Sequence, residues 1–108
     1  MGITRTDLFT ERQNEIASLM KVFAHPARIA IIDHLLQSNA CINSDLVKEL
    51  GMAQASISQH LKELKNAEII QGTVEGTSMN YCINPTKWKV ISEMLSTFFD
   101  KYNHNNCC

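Results

Sequence analysis

The sequence has no long apolar run and no excess of charge of either sign. Its longest unbroken aliphatic stretch, residues 29–32, is far too short to span a bilayer. The N-terminal stretch also lacks the apolar segment of a signal peptide, so we expect a soluble, cytoplasmic protein with no membrane partner. Ten Lys and Arg against eleven Asp and Glu give a formal charge of −1. Composition therefore gives no reason to expect nucleic-acid binding, and any such argument must come from pattern.

Motifs of thiol and phosphate chemistry are missing as well. The four cysteines are Cys41, Cys82, Cys107 and Cys108, and none of them forms a Cys-x-x-Cys pair. No glycine-rich loop of the kind that holds phosphates occurs. Without a secretion signal, the cysteines are expected to be reduced thiols. These absences argue against an enzyme, although a thiol enzyme or metal-handling protein stays open as a weaker alternative.

The chain has 108 residues, which suits one domain. We place that domain at residues 1–102 and a polar, cysteine-containing tail at 103–108. A chain this short buries only about 60–70% of the surface that its unfolded form exposes. Help from a partner subunit is therefore expected.

Apolar residues recur at helical spacing on both sides of Pro26. Before it, the apolar residues from Leu8 and Phe9 onward predict a first helix. That helix should end at His25, because the residue before a proline disfavours the α region. Pro26 suits the first turn of a second helix, which should end near Ser38.

A short helix and a longer one follow, separated by Gly51. The short helix is predicted over 45–50, capped by Asn43 or Ser44, with Gly51 as its C-terminal left-handed residue. The longer helix is predicted over about 54–67. Its apolar face should contain Ile57, Leu61 and Leu64.

The hydrophobic pattern then changes period. Segments 69–74 and 79–83 predict two short strands of a β-hairpin around the turn 75–78. Asn84 and Pro85 close the hairpin and open a last helix. The predicted order is ααααββα, a mainly α fold with a β-hairpin.

The first and last helices carry apolar stripes that are too long for one small subunit to cover. We therefore expect a homodimer in which these helices pair across a two-fold axis. The residues of the two stripes are Leu8, Phe9 and Ile16, and Trp88, Ile91, Leu95, Phe98 and Phe99.

A short helix, a tight glycine turn and a second helix with a polar first turn are typical of a helix-turn-helix motif. The second helix can lie in the major groove of double-stranded DNA. Gln54 and Gln59 have the donor and acceptor that read adenine, while Ser56 and Ser58 can bond bases or phosphates. An ordinary solvent-facing helix would have similar residues, so spacing alone leaves both interpretations open.

A family resemblance adds to this pattern. The stretch AHPARIAIIDHLL and the later SISQHLKELKNAEII with its EGTSMNY hairpin resemble the ArsR/SmtB family of bacterial winged-helix repressors. The similarity runs over roughly residues 16–102. It implies a winged helix-turn-helix fold and repression by DNA binding. It also implies that the helix with Gln54, Ser56, Ser58 and Gln59 is the recognition helix, and that 75–78 form the wing tip.

The sequence departs from the family pattern in the wing. Wings of this family often carry Arg or Lys that bind phosphates, whereas segment 73–78 has no base and one acid. Positive charge near the DNA would have to come from Lys48, Lys62, Lys65 and Arg28. Because these bases are few, we expect only modest salt sensitivity for a DNA-binding protein. If the domain is a dimer, its operator should be an imperfect palindrome.

The resemblance also directs attention to a sensing site, because members of this family release DNA when a metal, metalloid or oxidant binds. The familiar arsenic site needs cysteines where this chain has Ile42, Ser44 and Val47. The familiar zinc site on the last helix keeps only Asp100 as a ligand. Neither site is complete.

Thiols are the soft donors that remain. Cys107 and Cys108 are adjacent and would suit a thiophilic ion such as As(III), with Cys41 as the best candidate for a third ligand. A disulfide or persulfide on the same cysteines is the nearest alternative. A winged-helix module that binds protein without any inducer also stays open.

Overall fold

The computed structural model describes residues 8–38, 46–74 and 80–102. Within these ranges, five helices and a two-stranded antiparallel sheet follow one another in the predicted order ααααββα. The helices and strands are α1 (Glu11–Phe23), α2 (Pro26–Ser38), α3 (Leu46–Leu50), α4 (Gln54–Asn66), β1 (Ile70–Thr73), β2 (Asn80–Ile83) and α5 (Pro85–Phe99). The fold is that of a winged helix-turn-helix. The predicted tail 103–108 and the predicted caps of α3 lie outside the described residues.

The start of α1 differs from the prediction. The helix begins at Glu11, because Thr10 and Gln13 form a capping box. Thr10 Oγ1 accepts a hydrogen bond from the Gln13 amide at 3.0 Å, and Gln13 Oε1 accepts one from the Thr10 amide at 3.0 Å. Leu8 and Phe9 therefore precede the helix, and both are exposed. The side-chain cap therefore sets the start of α1, which is later than the apolar periodicity predicted.

One hydrophobic core joins α2, α4, the hairpin and α5. The α4 side chains that the sequence assigned to the buried face are indeed buried. Their neighbours in the core come from each of the other four helices and from both strands. Full burial of a large apolar side chain contributes about 1.5–3 kcal/mol to the free energy of unfolding. The largest fully buried side chains are Tyr81, Ile31, Leu35, Ile57, Leu61, Leu64, Ile69 and Ile70.

The turn from α4 into β1 sets the direction of the hairpin. Glu68 has a positive φ of 64°, and the Ile69 amide donates to the Leu64 carbonyl at 3.0 Å. This arrangement ends the helix with a left-handed residue at the position where glycine is usual. The Asn84 amide then donates to the Ile69 carbonyl at 2.9 Å, so the hairpin closes directly beside the end of α4.

The last helix begins as predicted. Asn84 caps it through a hydrogen bond from the Lys87 amide to Oδ1 at 3.3 Å, and Pro85 occupies the first turn. Its early residue Trp88 makes an edge contact with Phe23 at the end of α1, with ring centroids 6.4 Å apart. None of the helices in the described ranges combines the length and hydrophobicity that crossing a membrane requires.

Candidate nucleic-acid interface

Helix α4 is firmly anchored along one side. Ile57, Leu61 and Leu64 are at most 1% exposed, at the i, i+4, i+7 spacing of a single helix face. Because this face lies in the core, its packing restricts the rotation of α4 about its own axis. The remaining residues of the helix must therefore point in defined directions away from the core.

The surface of α4 outside this face presents polar side chains. Gln54, Ser56, Gln59 and Lys62 are exposed, and Ser58 is partly buried. Gln54 Nε2 donates to Ser58 Oγ at 3.1 Å. This hydrogen bond is exposed, so a bond to a base edge or a phosphate could replace it at little cost in free energy. All five residues that the sequence assigned to DNA contact are thus on one helix, and none is buried.

Gln59 makes a similar exposed hydrogen bond. Its Nε2 donates to Glu63 Oε1 at 3.3 Å. The two residues are one helical turn apart, the spacing at which side chains on a helix meet. The bond keeps the amide along the helix until another partner competes for it.

The turn before α4 brings its first residues to the surface. Leu46 of α3 is 2% exposed, which holds the short helix against the core. Gly51 follows with a φ of 67°, the left-handed conformation that the sequence predicted at this position. Ala53 is the N-cap of α4 and makes no side-chain hydrogen bond to the helix.

This uncapped start has a chemical consequence. The first turn of α4 contains no acidic residue, so no carboxylate neutralises the partial positive charge of the helix N-terminus. Amide groups at such an N-terminus are suitable donors to a phosphate of the DNA backbone.

Comparison with known proteins identifies the family. The model of the arsR family of bacterial regulatory proteins matches residues 25–71, the segment from the start of α2 to β1. A helix-turn-helix transcriptional regulator of Methanocaldococcus jannaschii is 31% identical over 85 residues, which cover 79% of this chain and 96% of that protein. The chain belongs to the ArsR family.

Other relatives of this ArsR-family protein are repressors by name. The transcriptional repressor PagR of Bacillus anthracis is 29% identical over 80 residues, 74% of this chain and 80% of PagR. The transcriptional repressor SmtB of Mycobacterium tuberculosis is 40% identical over 63 residues, 58% of this chain and 46% of that protein. No solved structure matches the chain significantly.

The basic residues of this ArsR-family protein divide into two groups. Lys48 on α3 and Lys62 and Lys65 on α4 are exposed, in keeping with their predicted contribution of positive charge. Arg28 is different, since it is partly buried and hydrogen-bonded inside the protein. Two donors of Arg28 are therefore occupied by partners on α1 and α4.

Two histidines lie beside the start of α2. His25 Nδ1 accepts a hydrogen bond from the Ala27 amide at 3.1 Å, so His25 caps the start of α2. His60 on α4 accepts a hydrogen bond at Nδ1 from Arg28 Nε at 3.1 Å. The sequence did not reveal this pair, because its members are 32 residues apart.

Most of the predicted sensing residues lie in parts of the chain that the structure does not describe. Cys41, Cys107 and Cys108 lie outside the described residues, as does the wing tip at 75–78. Cys82 on β2 is partly buried. Across the described ranges, no group of three or more His, Cys, Asp or Glu side chains could hold a metal ion.

Proposed function

We propose that this ArsR-family protein is a sequence-specific transcriptional repressor that binds double-stranded DNA with α4 in the major groove. The supporting observation is the division of α4 into a buried apolar face and an exposed polar face. A helix that is fixed in the core and has an uncharged, hydrogen-bonding first turn is suited to reading base edges.

Roles follow from the chemistry of each side chain. The amides of Gln54 and Gln59 supply a donor and an acceptor to adenine, and Ser56 and Ser58 bond a base or a phosphate. Lys62 is one turn further from the helix start, and we assign it to the phosphate backbone. The exposed amides at the start of α4 add a further phosphate contact.

The acting species in this proposal is a cytoplasmic homodimer. Apolar side chains are exposed to solvent just before α1 and at and beyond the end of α5, among them Phe9 at 54%, Phe99 at 58% and Tyr102 at 67% exposure. A groove between the two helices is lined by Phe98 and also by Arg12, Glu93 and Lys101. Ile16 and Ile91 of the predicted stripes are instead buried within the subunit, so the exposed apolar surface is smaller than predicted. A second copy of the chain would cover this surface through a two-fold axis.

The dimer determines the form of the operator. Two recognition helices related by a two-fold axis would lie about 34 Å apart, one turn of DNA. The operator should then be an imperfect palindrome. Sedimentation at micromolar protein concentration should show a dimer, and a species of 12.2 kDa alone would contradict this part of the proposal.

Selection from random DNA followed by a gel shift tests the function directly. The full chain is used to select duplexes, and the enriched sequence is compared with the DNA upstream of its own gene. We expect a palindromic sequence that binds much more tightly than a scrambled duplex of equal length. Failure to enrich any sequence would favour the alternative of a protein-binding module.

The proposed inducer is a thiophilic species such as As(III), bound by Cys107 and Cys108 with Cys41 as a third ligand. Support comes from the donor chemistry, since thiolates prefer soft ions and the other familiar ligand sets are incomplete. Release requires the inducer to bind more tightly to the DNA-free state, by a coupling energy of about 1–3 kcal/mol.

Truncation after Asn106 tests this site, with Cys82→Ser as the matched thiol control. We expect the truncated protein to keep its operator when As(III) is added, while Cys82→Ser releases it like the full chain. Equal release by the truncated protein would exclude the tail as the sensor. Release by a polysulfide but not by As(III) would favour the persulfide alternative on the same cysteines.

A further inference from the structure

The guanidinium group of Arg28 connects three helices. Its Nε donates to His60 Nδ1 on α4 at 3.1 Å, and its Nη1 donates to the Val22 carbonyl near the end of α1 at 3.2 Å. Arg28 itself is in the first turn of α2. One partly buried side chain therefore joins the end of α1 and the start of α2 to the middle of α4.

A second imidazole completes the cluster. The His25 ring packs against the His60 ring with centroids 4.3 Å apart and planes inclined by 60°. His25 Nδ1 accepts from the Ala27 amide, and His60 Nδ1 accepts from Arg28. Because a nitrogen that accepts a hydrogen bond has no proton, the His60 ring is neutral in this arrangement, with its proton on Nε2.

The groups around His60 favour the neutral ring. Its pKa is lowered from the ordinary value by burial, and further by the neighbouring His25 at the α1–α2 corner and Arg28 on α2. Glu63, one turn further along α4, acts in the opposite direction. Protonation would place a second donor opposite Arg28 Nε, and the hydrogen bond would be lost.

The position of His60 connects this cluster to the polar face of α4. His60 follows Gln59 directly and is one helical turn after Ser56, so it lies between the exposed face and the core. Loss of the contact between His60 and Arg28 would therefore allow α4 to rotate at the point where Ser56 and Gln59 face the solvent. The three apolar anchors fix α4 on one side only, and the Arg28 contact adds a polar constraint on another side.

We propose that Arg28 and His60 are positioning residues for the recognition helix, and that specific DNA binding weakens when His60 is protonated. This inference rests on the proposed DNA-binding function. It predicts that the pH dependence of DNA affinity has the opposite sign from that expected for a direct phosphate contact by His60. A protonated imidazole at a phosphate would strengthen binding as the pH falls, whereas a protonated imidazole at Arg28 weakens it.

The test measures affinity against pH for a duplex that the full chain selects at pH 7.5 and for a scrambled duplex of the same length. Ionic strength is held constant. Wild-type affinity for the selected duplex should fall towards pH 5.5, because binding to the neutral form excludes the protonated fraction, and by less than the roughly tenfold that an imidazole of ordinary pKa would give. Affinity for the scrambled duplex should not fall, since lysine contacts to phosphates do not titrate in this range.

Variants of the pair give the decisive comparison. His60→Asn keeps an acceptor oxygen at the place of Nδ1 but cannot be protonated, so its affinity for the selected duplex should not fall with pH. It should also bind more tightly at pH 7.5 than His60→Leu, which has no acceptor. Arg28→Lys keeps the charge but loses the forked donor geometry. Its specific binding should weaken with little change on the scrambled duplex.

Outcomes separate the inference from the function on which it rests. Failure of the wild type to select any duplex would overturn the DNA-binding proposal and this role with it. If a duplex is selected, two results would overturn the positioning role alone. One is a wild-type affinity that rises as the pH falls, and the other is a His60→Asn profile that declines like the wild type. Circular dichroism of each variant shows whether the fold is retained. If His60→Asn does not fold, NMR of the wild type decides, because the Arg28 Nε–H resonance must shift as His60 titrates.

Discussion

Gly72 on β1 and Tyr81 on β2 are directly opposite each other in the hairpin, and only a glycine fits there. A Cβ on Gly72 would lie 2.9 Å from Tyr81 Cα and would meet the Asn80 carbonyl oxygen. Gly72 also has a φ of 112°, a conformation that L-residues rarely adopt. Tyr81 is 1% exposed, so the partner strand is held in the core and cannot move aside.

The first prediction concerns this contact. Gly72→Ala should lower the free energy of unfolding by about 2 kcal/mol or more, because the new methyl group meets main-chain atoms on a fixed strand. Gly51→Ala is the matched control, since its φ is also positive but no atom lies within 4 Å of the added Cβ. It should cost only about 1 kcal/mol. Urea denaturation of both variants checks this difference, and equal losses would contradict the steric argument.

The order of helices and strands could be predicted from the sequence because its signals are local. Pro26 and Pro85 mark helix starts, Gly51 marks a turn, and the apolar spacing in α4 matches its buried face. The start of α1 could not be predicted from periodicity, because the reciprocal hydrogen bonds of a cap decide it. A capping-box pattern at Thr10 and Gln13 was the available signal.

The candidate site was predictable only in part. The polar residues of α4 share one short segment, so their common surface follows from helical geometry. The contact between Arg28 and His60 joins residues on two separate helices. Nothing in the spacing of either helix indicates which of its polar residues faces the other. Arg28 was therefore taken for a surface charge, although its Nε and Nη1 groups donate to partners inside the protein.

A second prediction addresses base reading by α4. Ser56→Ala and Gln59→Ala should each weaken binding to the selected operator by about 1–3 kcal/mol, because each removes a hydrogen bond to a base edge. Both side chains are exposed, so the fold should be unaffected. Gln37→Ala, an exposed glutamine on α2, is the control. Unchanged operator affinity in both α4 variants would remove this helix from the recognition role.

A third prediction concerns phosphate contacts. Lys62→Ala should weaken binding to operator and scrambled DNA alike, because a phosphate contact carries no sequence information. The dependence of log K on log salt should become shallower by about one unit. Lys89→Ala, an exposed lysine on α5, should leave that slope unchanged. A loss confined to the operator would show that Lys62 reads sequence instead.

The last prediction concerns stability and pH, and it needs no DNA. The pKa of His60 is lower in the folded protein than its ordinary value of 6.5, chiefly through burial. The unfolded chain therefore binds more protons than the folded one in the window below about 6.5. The free energy of unfolding should fall as the pH is lowered into that window. It should level off once the pH is below the folded pKa, since both states are then protonated.

Removing the imidazole should remove this contribution. We expect the stability advantage of the wild type over His60→Leu to be largest above pH 7 and to shrink as the pH is lowered towards 5. His60 is only partly buried, so solvent screening keeps the change small. It is best measured as the difference between paired urea curves at each pH. His34→Leu on α2 supplies the control for loss of an imidazole at another place. An advantage that grows on acidification would mean that the folded protein favours the charged ring, and the neutral Arg28–His60 contact would have to be abandoned.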